Sequence, residues 1–197
     1  MHLTAEELQA GLDHLRAAPS EVGELAMIVA RPDVMQRRLL DEGQLDTEVG
    51  LVGDNWLARG SSRTPGGLAA PDKQITVMNV RVADLVARGR EQAPLAGDQL
   101  YVDFDISIDN LPPGSLLTIG NAVLEISESP HLGCAKFVHR FGEEAMRFVN
   151  GREGRALRLR GVNTRVVAPG TIRVGDPVTH SVPSVLQVAN RGPVPGL

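Results

Sequence analysis

The sequence predicts a mainly β, α+β domain: a β-barrel or strongly bent sheet with a few peripheral helices. Short strand-like runs crowd together after residue 73, and Gly and Pro turns separate them at close spacing. No strand–helix–strand alternation, internal repeat or low-complexity segment competes with this pattern. One domain suits the 197 residues, a length that can enclose one full core.

In chain order, "TAEELQAGLDHLRA" (4–17) predicts an amphipathic helix. Thr4 and Glu7 have capping-box spacing, Leu8, Leu12 and Leu15 share a face, and Pro19 ends it. "GELAMIVA" (23–30) reads as the first strand, and a short helix is expected after Pro32 through "DVMQRRLLDE". "GSSRTPGGLAAPD" (60–72) is a loop, because Gly, Ser and Pro erase any period. "KQITVMNV" (73–80) is a strand, with "VADLVARG" (82–89) a helix behind it. "QLYVDFDISI" (99–108) alternates apolar and polar residues, which predicts a half-buried strand. "LPPGSLLTIG" (111–120) is a turn and strand; "AVLEISE" (122–128) and residues 161–182 supply three or four more. "GEEAMRFVNG" (142–151) reads as a short helix stopped by Gly151. The expected division is a helical extension over 1–20, the barrel over 21–182 and a tail over 183–197.

Composition excludes several classes. A net charge of −4 gives nucleic acid no global attraction, and the single Trp56 and single Tyr101 offer no stacking platform for bases. No run approaches the roughly 18 apolar residues of a membrane helix. The N-terminus lacks the basic-then-apolar pattern of a secretory signal, and one cysteine forms no internal disulfide; together these predict a cytoplasmic protein.

That cysteine lies in "ESPHLGCAKFVHRFG" (128–142), among His131, Lys136, His139 and Arg140. It opens a basic stretch: nine Lys or Arg against three acids from His131 to Arg173, either a solvated positive face or a site for a small anionic ligand. If 134–138 is extended, Lys136 shares a side with Cys134, and a cation there favours the nucleophilic thiolate. Gly133 lets the turn approach a ligand closely. Against this, many free cysteines are small buried hydrophobes. "HLGC" and "CAKFVH" match no zinc spacing, "GSSRTPGG" lacks the end of a phosphate loop, and no Gly-x-Ser-x-Gly elbow occurs.

"GLVGDNW" (50–56), "LPPGSLLTIGNAVLEIS", "PHLGCAKF" (130–137) and "GVNTRVVAPGTIRVGDPV" (161–178) follow one another in an order that resembles the MOSC family, named for the C-terminal domain of molybdenum cofactor sulfurase. The resemblance covers roughly residues 24–181 and implies a MOSC-like β-barrel. It implies that Cys134 carries sulfur as a persulfide or ligates molybdenum, with His131 and Lys136 beside it as catalytic neighbours. Asp54, Gly133, Asn163 and Arg165 would line the cofactor pocket.

Two activities follow from the resemblance: a sulfur carrier or molybdenum-cofactor-binding protein, or a molybdenum-dependent oxidoreductase subunit reducing N-hydroxylated compounds. A non-catalytic binding module that merely keeps the fold is a third reading. The implied partners are a cysteine desulfurase, which would hold the pyridoxal phosphate, or a redox protein. Lys73 and Lys136 lack an aldimine context, and nothing here binds flavin or nicotinamide recognisably. One departure bears on the cofactor. Where the family carries an Arg-Arg-Asn-like run, 95–107 is acidic, and Asp98, Asp103 and Asp105 would repel an anion if they pointed inward.

Overall fold

The computed structural model describes residues 2–62 and 64–182. It begins with helices α1 (Ala5–Ala10) and α2 (Leu12–Arg16), then strands β1 (Val22–Ala30), β2 (Arg38–Leu40), β3 (Glu42–Asp46) and β4 (Gly50–Leu51). There follow α3 (Trp56–Arg59), β5 (Ile75–Asn79), α4 (Val80–Ala87), β6 (Leu100–Asp103), β7 (Leu116–Ile119) and β8 (Ala122–Ile126). The chain ends with α5 (Ala135–Asn150), α6 (Arg152–Ala156), β9 (Val162–Ala168), β10 (Gly170–Arg173) and β11 (Pro177–Ser181).

Seven strands close into a barrel in the order β11-β7-β8-β9-β5-β6-β1, with β1 pairing back onto β11. Among the described strands only β5 and β6 run parallel, and α4 joins them in one strand–helix–strand unit, which corrects the expectation that the chain holds none. Strand β1 does two jobs: Val22–Glu24 lie against β11 to close the barrel, and Ile28–Ala30 carry β2. Strands β10, β3 and β4 form a small separate sheet.

Alternation along β1, β5 and β6 divides the apolar residues between two cores. Leu25, Ile28, Val77, Leu100 and Val102 fill the barrel. Val29, Met78 and Tyr101 face outward and are covered by Leu8, Leu12 and Leu15 of the first helices, by α4, and by Phe137 and Phe141 of α5. A register shift between Leu25 and Met27 turns both Ala26 and Met27 to the helical side.

This second layer corrects the half-buried reading of 99–108: Leu100, Tyr101 and Val102 are all buried, and the strand ends at Asp103. The helix expected after Pro32 does not form. Leu39 and Leu40 pair with β1 instead, while Val34 and Met35 stay exposed and give a helix nothing to pack on. The capping box at Thr4 and Glu7 is present, with reciprocal bonds of 2.8 and 3.2 Å, but the helix divides at Gly11. The helix expected at 142–151 starts earlier, at Ala135, and Gly142 is a kink within it at φ +89°. The tail proposed for 183–197 lies outside the described residues.

Candidate functional site

Cys134 sits at the N-cap of α5 in extended backbone, its carbonyl accepting from Phe137 N at 2.8 Å and Val138 N at 3.1 Å. Residues 135–138 are therefore helical, and the extended segment that would have aligned Lys136 with Cys134 does not exist. The thiol makes no capping bond and is exposed, so it belongs to neither core. Asn150, near the far end of the same helix, grips the preceding turn: its Oδ1 accepts from Gly133 N at 3.0 Å. Gly133 fits there because a Cβ would lie 2.5 Å from Met146 Sδ.

Cys134 and Lys136 nevertheless line one cavity of about 160 Å³, together with Arg31, Arg37, Arg59, Arg140 and Arg160 and a single carboxylate, Asp33. All but Arg59 of these arginines meet on a single feature. A short 3-10 turn, Ala93–Ala96, ends at Gly97, whose N–H donates to Pro94 O at 3.2 Å, and leaves the carbonyls of 95–97 without helical partners. Pro94 O accepts from Arg37 Nε at 3.3 Å, and Leu95 O from Arg140 Nη1 at 2.6 Å. Ala96 O accepts from Arg160 Nη2 at 3.0 Å, and Gly97 O from Arg31 Nη1 at 2.9 Å. Four consecutive carbonyls thus hold four guanidinium groups, which satisfies the turn and fixes the cations.

Two of the six cations have carboxylate partners. Asp54 Oδ2 and Oδ1 accept from Arg31 Nε at 2.8 Å and Nη2 at 2.9 Å, while Asp98 Oδ2 accepts from Arg160 Nη1 at 2.7 Å. Arg37, Arg59, Arg140 and Lys136 have none among the described residues. Burial first, and then Arg140 and Arg31, lower the pKa of half-buried Arg37. The arrangement can bind an anion beside a reachable thiol.

The acidic stretch does not oppose this. Burial pushes Asp98 up, but the charge and hydrogen bond of Arg160 hold its carboxyl below the usual range, so it serves as a counter-ion behind Arg160. Asp103 is paired with Arg81 at 2.7 Å, and Asp105 Oδ1 accepts from Ser107 N at 2.9 Å in a local turn.

His131 Nδ1 lies 3.4 Å from Asp98 Oδ1. Burial first, then Arg160, lower its pKa from 6.5 to about 3, so it is neutral at ordinary pH. Asn163 donates from Nδ2 to Ser129 O at 3.1 Å and, with His131, lines a different cavity on the other side of Arg160. Arg165 is on the outer surface of β9, 2.8 Å from Glu125. Of the residues singled out in the sequence, the structure groups Cys134, Lys136 and, behind Arg31, Asp54; His131 and Asn163 form a second group, and Arg165 stands apart. The five arginines carry no local signal beyond Arg140's nearness to Cys134, since they are scattered from residue 31 to residue 160.

A family model described as MOSC domain matches residues 67–179, more than half of the chain. No curated protein matches the sequence. Among solved structures, the chain resembles YuaD from Bacillus subtilis, with TM-score 0.61 and 16% identity over 82% of this chain and 97% of that one. It also resembles YiiM from Geobacillus stearothermophilus (TM-score 0.57, 14% identity, 84% and 78% covered) and YiiM from Escherichia coli (TM-score 0.52, 22% identity, 82% and 71% covered). At these identities the likeness is one of fold.

Proposed function

The chain belongs to the MOSC domain family, and on that premise we propose that it handles an anionic sulfur or molybdenum species at Cys134, as a sulfur carrier or a molybdenum-cofactor-binding protein. One observation carries the reading: the only cysteine is exposed in a cavity lined by six cations, four of them without a carboxylate partner among the described residues.

As a carrier, the Cys134 thiolate attacks the outer sulfur of a donor persulfide. A new S–S bond forms at Cys134, the donor's own S–S bond breaks, and the donor leaves as a thiolate with the electron pair. Cations around the cavity stabilise the anion before and after transfer. The donor is a partner such as a cysteine desulfurase, which would bring its own pyridoxal phosphate.

The molybdenum cofactor fits the same residues. Among the described residues no three metal-ligating side chains converge, so the protein can offer the metal Cys134 and the cofactor must supply the other ligands. Lys136, Arg37 and Arg140 suit its phosphate. Arg59 also lines an adjoining cavity of about 400 Å³ with Trp56, Ser61 and Lys73, which gives an extended anion room. When bound, the cofactor would supply atom-transfer redox chemistry, with electrons from a separate redox protein. The oxidoreductase reading rests on this fit. The exposure of Cys134 counts against a module in which the thiol is only packing.

Cys134→Ala tests the proposal. The folded wild-type protein should gain one sulfur by mass when given a persulfide donor, or retain molybdenum after cofactor loading. The variant should do neither while melting as the wild type does. Unchanged sulfur uptake and metal retention in the variant would end the proposal.

A further inference from the structure

The second cavity, behind the cysteine loop, has about 300 Å³ of space and walls of a different character. Ile108, Pro113, Leu132, Val149 and Val162 make it mainly apolar. Ile108 and Leu132 are 45% and 40% exposed, uncommon for such side chains unless something covers them. Two arginines at the same wall are held with nitrogens to spare. Arg155 Nε donates to Asn150 O at 2.7 Å, and Arg158, in left-handed backbone at φ +49°, donates from Nη1 to Leu111 O at 2.5 Å. Neither has a carboxylate partner among the described residues. The nearby acids are engaged elsewhere: Asp98 with Arg160, and Glu153 with Arg16. Glu128 is the one carboxylate lining the cavity, so the two open guanidinium groups leave a net charge near +1.

We propose that this cavity binds a small amphiphilic organic anion, whose apolar body lies against Leu132, Ile108 and Val162 and whose acidic group meets Arg155 and Arg158. Burial of the body provides affinity, and the charge-assisted hydrogen bonds choose an acid over a neutral analogue. The site stands apart from the chemistry proposed for Cys134. The two share Arg160, and residues 130–132, which line this cavity, lead directly to Cys134 in the other, so the anion would sit one wall away from the thiol.

Calorimetric titration of the full chain with octanoate, against octanol as the neutral control, tests this. Octanoate should bind saturably, and octanol about tenfold or more weakly, the factor expected for one charge-assisted hydrogen bond. Arg155→Gln should bring octanoate down towards octanol. Leu132→Trp, which fills the cavity, should abolish binding, whereas Lys136→Ala in the other cavity should leave it unchanged. Should Leu132→Trp fail to fold, Arg155→Gln decides alone. Equal binding of acid and alcohol, octanoate binding that survives both Arg155→Gln and Leu132→Trp, or no binding at millimolar ligand would overturn the proposal.

Discussion

Arg160 Nη1 lies 2.7 Å from Asp98 Oδ2, and both side chains are almost wholly buried, at 8% and 0% exposure. This pair changes the sense of an acidic stretch that would otherwise disfavour an anion site. Asp98 never reaches the cavity; it neutralises a cation that separates two cavities.

Removing one member should therefore be costly. Asp98→Asn leaves the Arg160 guanidinium buried and uncompensated, and should destabilise the fold by about 3–5 kcal/mol in urea denaturation. The joint replacement Asp98→Leu with Arg160→Met should cost far less, because no charge is stranded. A small effect of Asp98→Asn would mean that water reaches Arg160.

Acid stability follows from the same cluster. An unfolded histidine takes a proton near 6.5, whereas folded His131 stays neutral to about 3. Between those values the unfolded chain binds more protons, so stability falls as pH falls, by at most about 1.4 kcal/mol per pH unit from this residue. Asp98 acts in the same direction lower down, its contribution being lost as pH drops below 3.8. Urea midpoints measured from pH 7 to pH 4 should slope downward, and His131→Gln should flatten the slope.

Lys136 and Arg59 are exposed and have no ion pair among the described residues, so Lys136→Ala and Arg59→Ala should move stability by no more than about 0.5 kcal/mol. Their effect should appear in anion binding. Phosphate or molybdate titration should show weaker affinity in each variant and a shallower dependence on salt. Affinity equal to wild type in the double variant would place the anion elsewhere.

Gly97 tests the carbonyl turn. Its φ of +96° suits glycine, and a Cβ would face Arg37 Nη2 and Arg140 Nη1 at 3.5 and 3.6 Å, an ordinary contact. Gly97→Ala should thus cost about 1–3 kcal/mol through backbone strain, not through a clash. The melting temperature should drop and the arginine set should loosen, which anion titration would register.

Much of the barrel is legible in the chain because its signals are local. The strands at 23–30, 73–80 and 122–128 are short β-branched or apolar runs between turn residues, and Thr4 and Glu7 announce the first cap by spacing alone. The loop after Pro32 was not legible as a loop. Its apolar residues suit a helix until β1 offers Leu39 and Leu40 a partner. The same limit applies to Cys134, which the residue order marks as unusual and whose extended or helical setting depends on Phe137 and Phe141 finding the outer core.

Order along the chain settled the barrel class and drew attention to the lone thiol. Which cations surround that thiol was decided only by folding, since Arg31, Arg37, Arg140 and Arg160 share no local pattern. They converge because the carbonyls at 95–97 require donors and Pro94 O takes a second one, and packing two cores onto opposite faces of one sheet carries distant arginines to them.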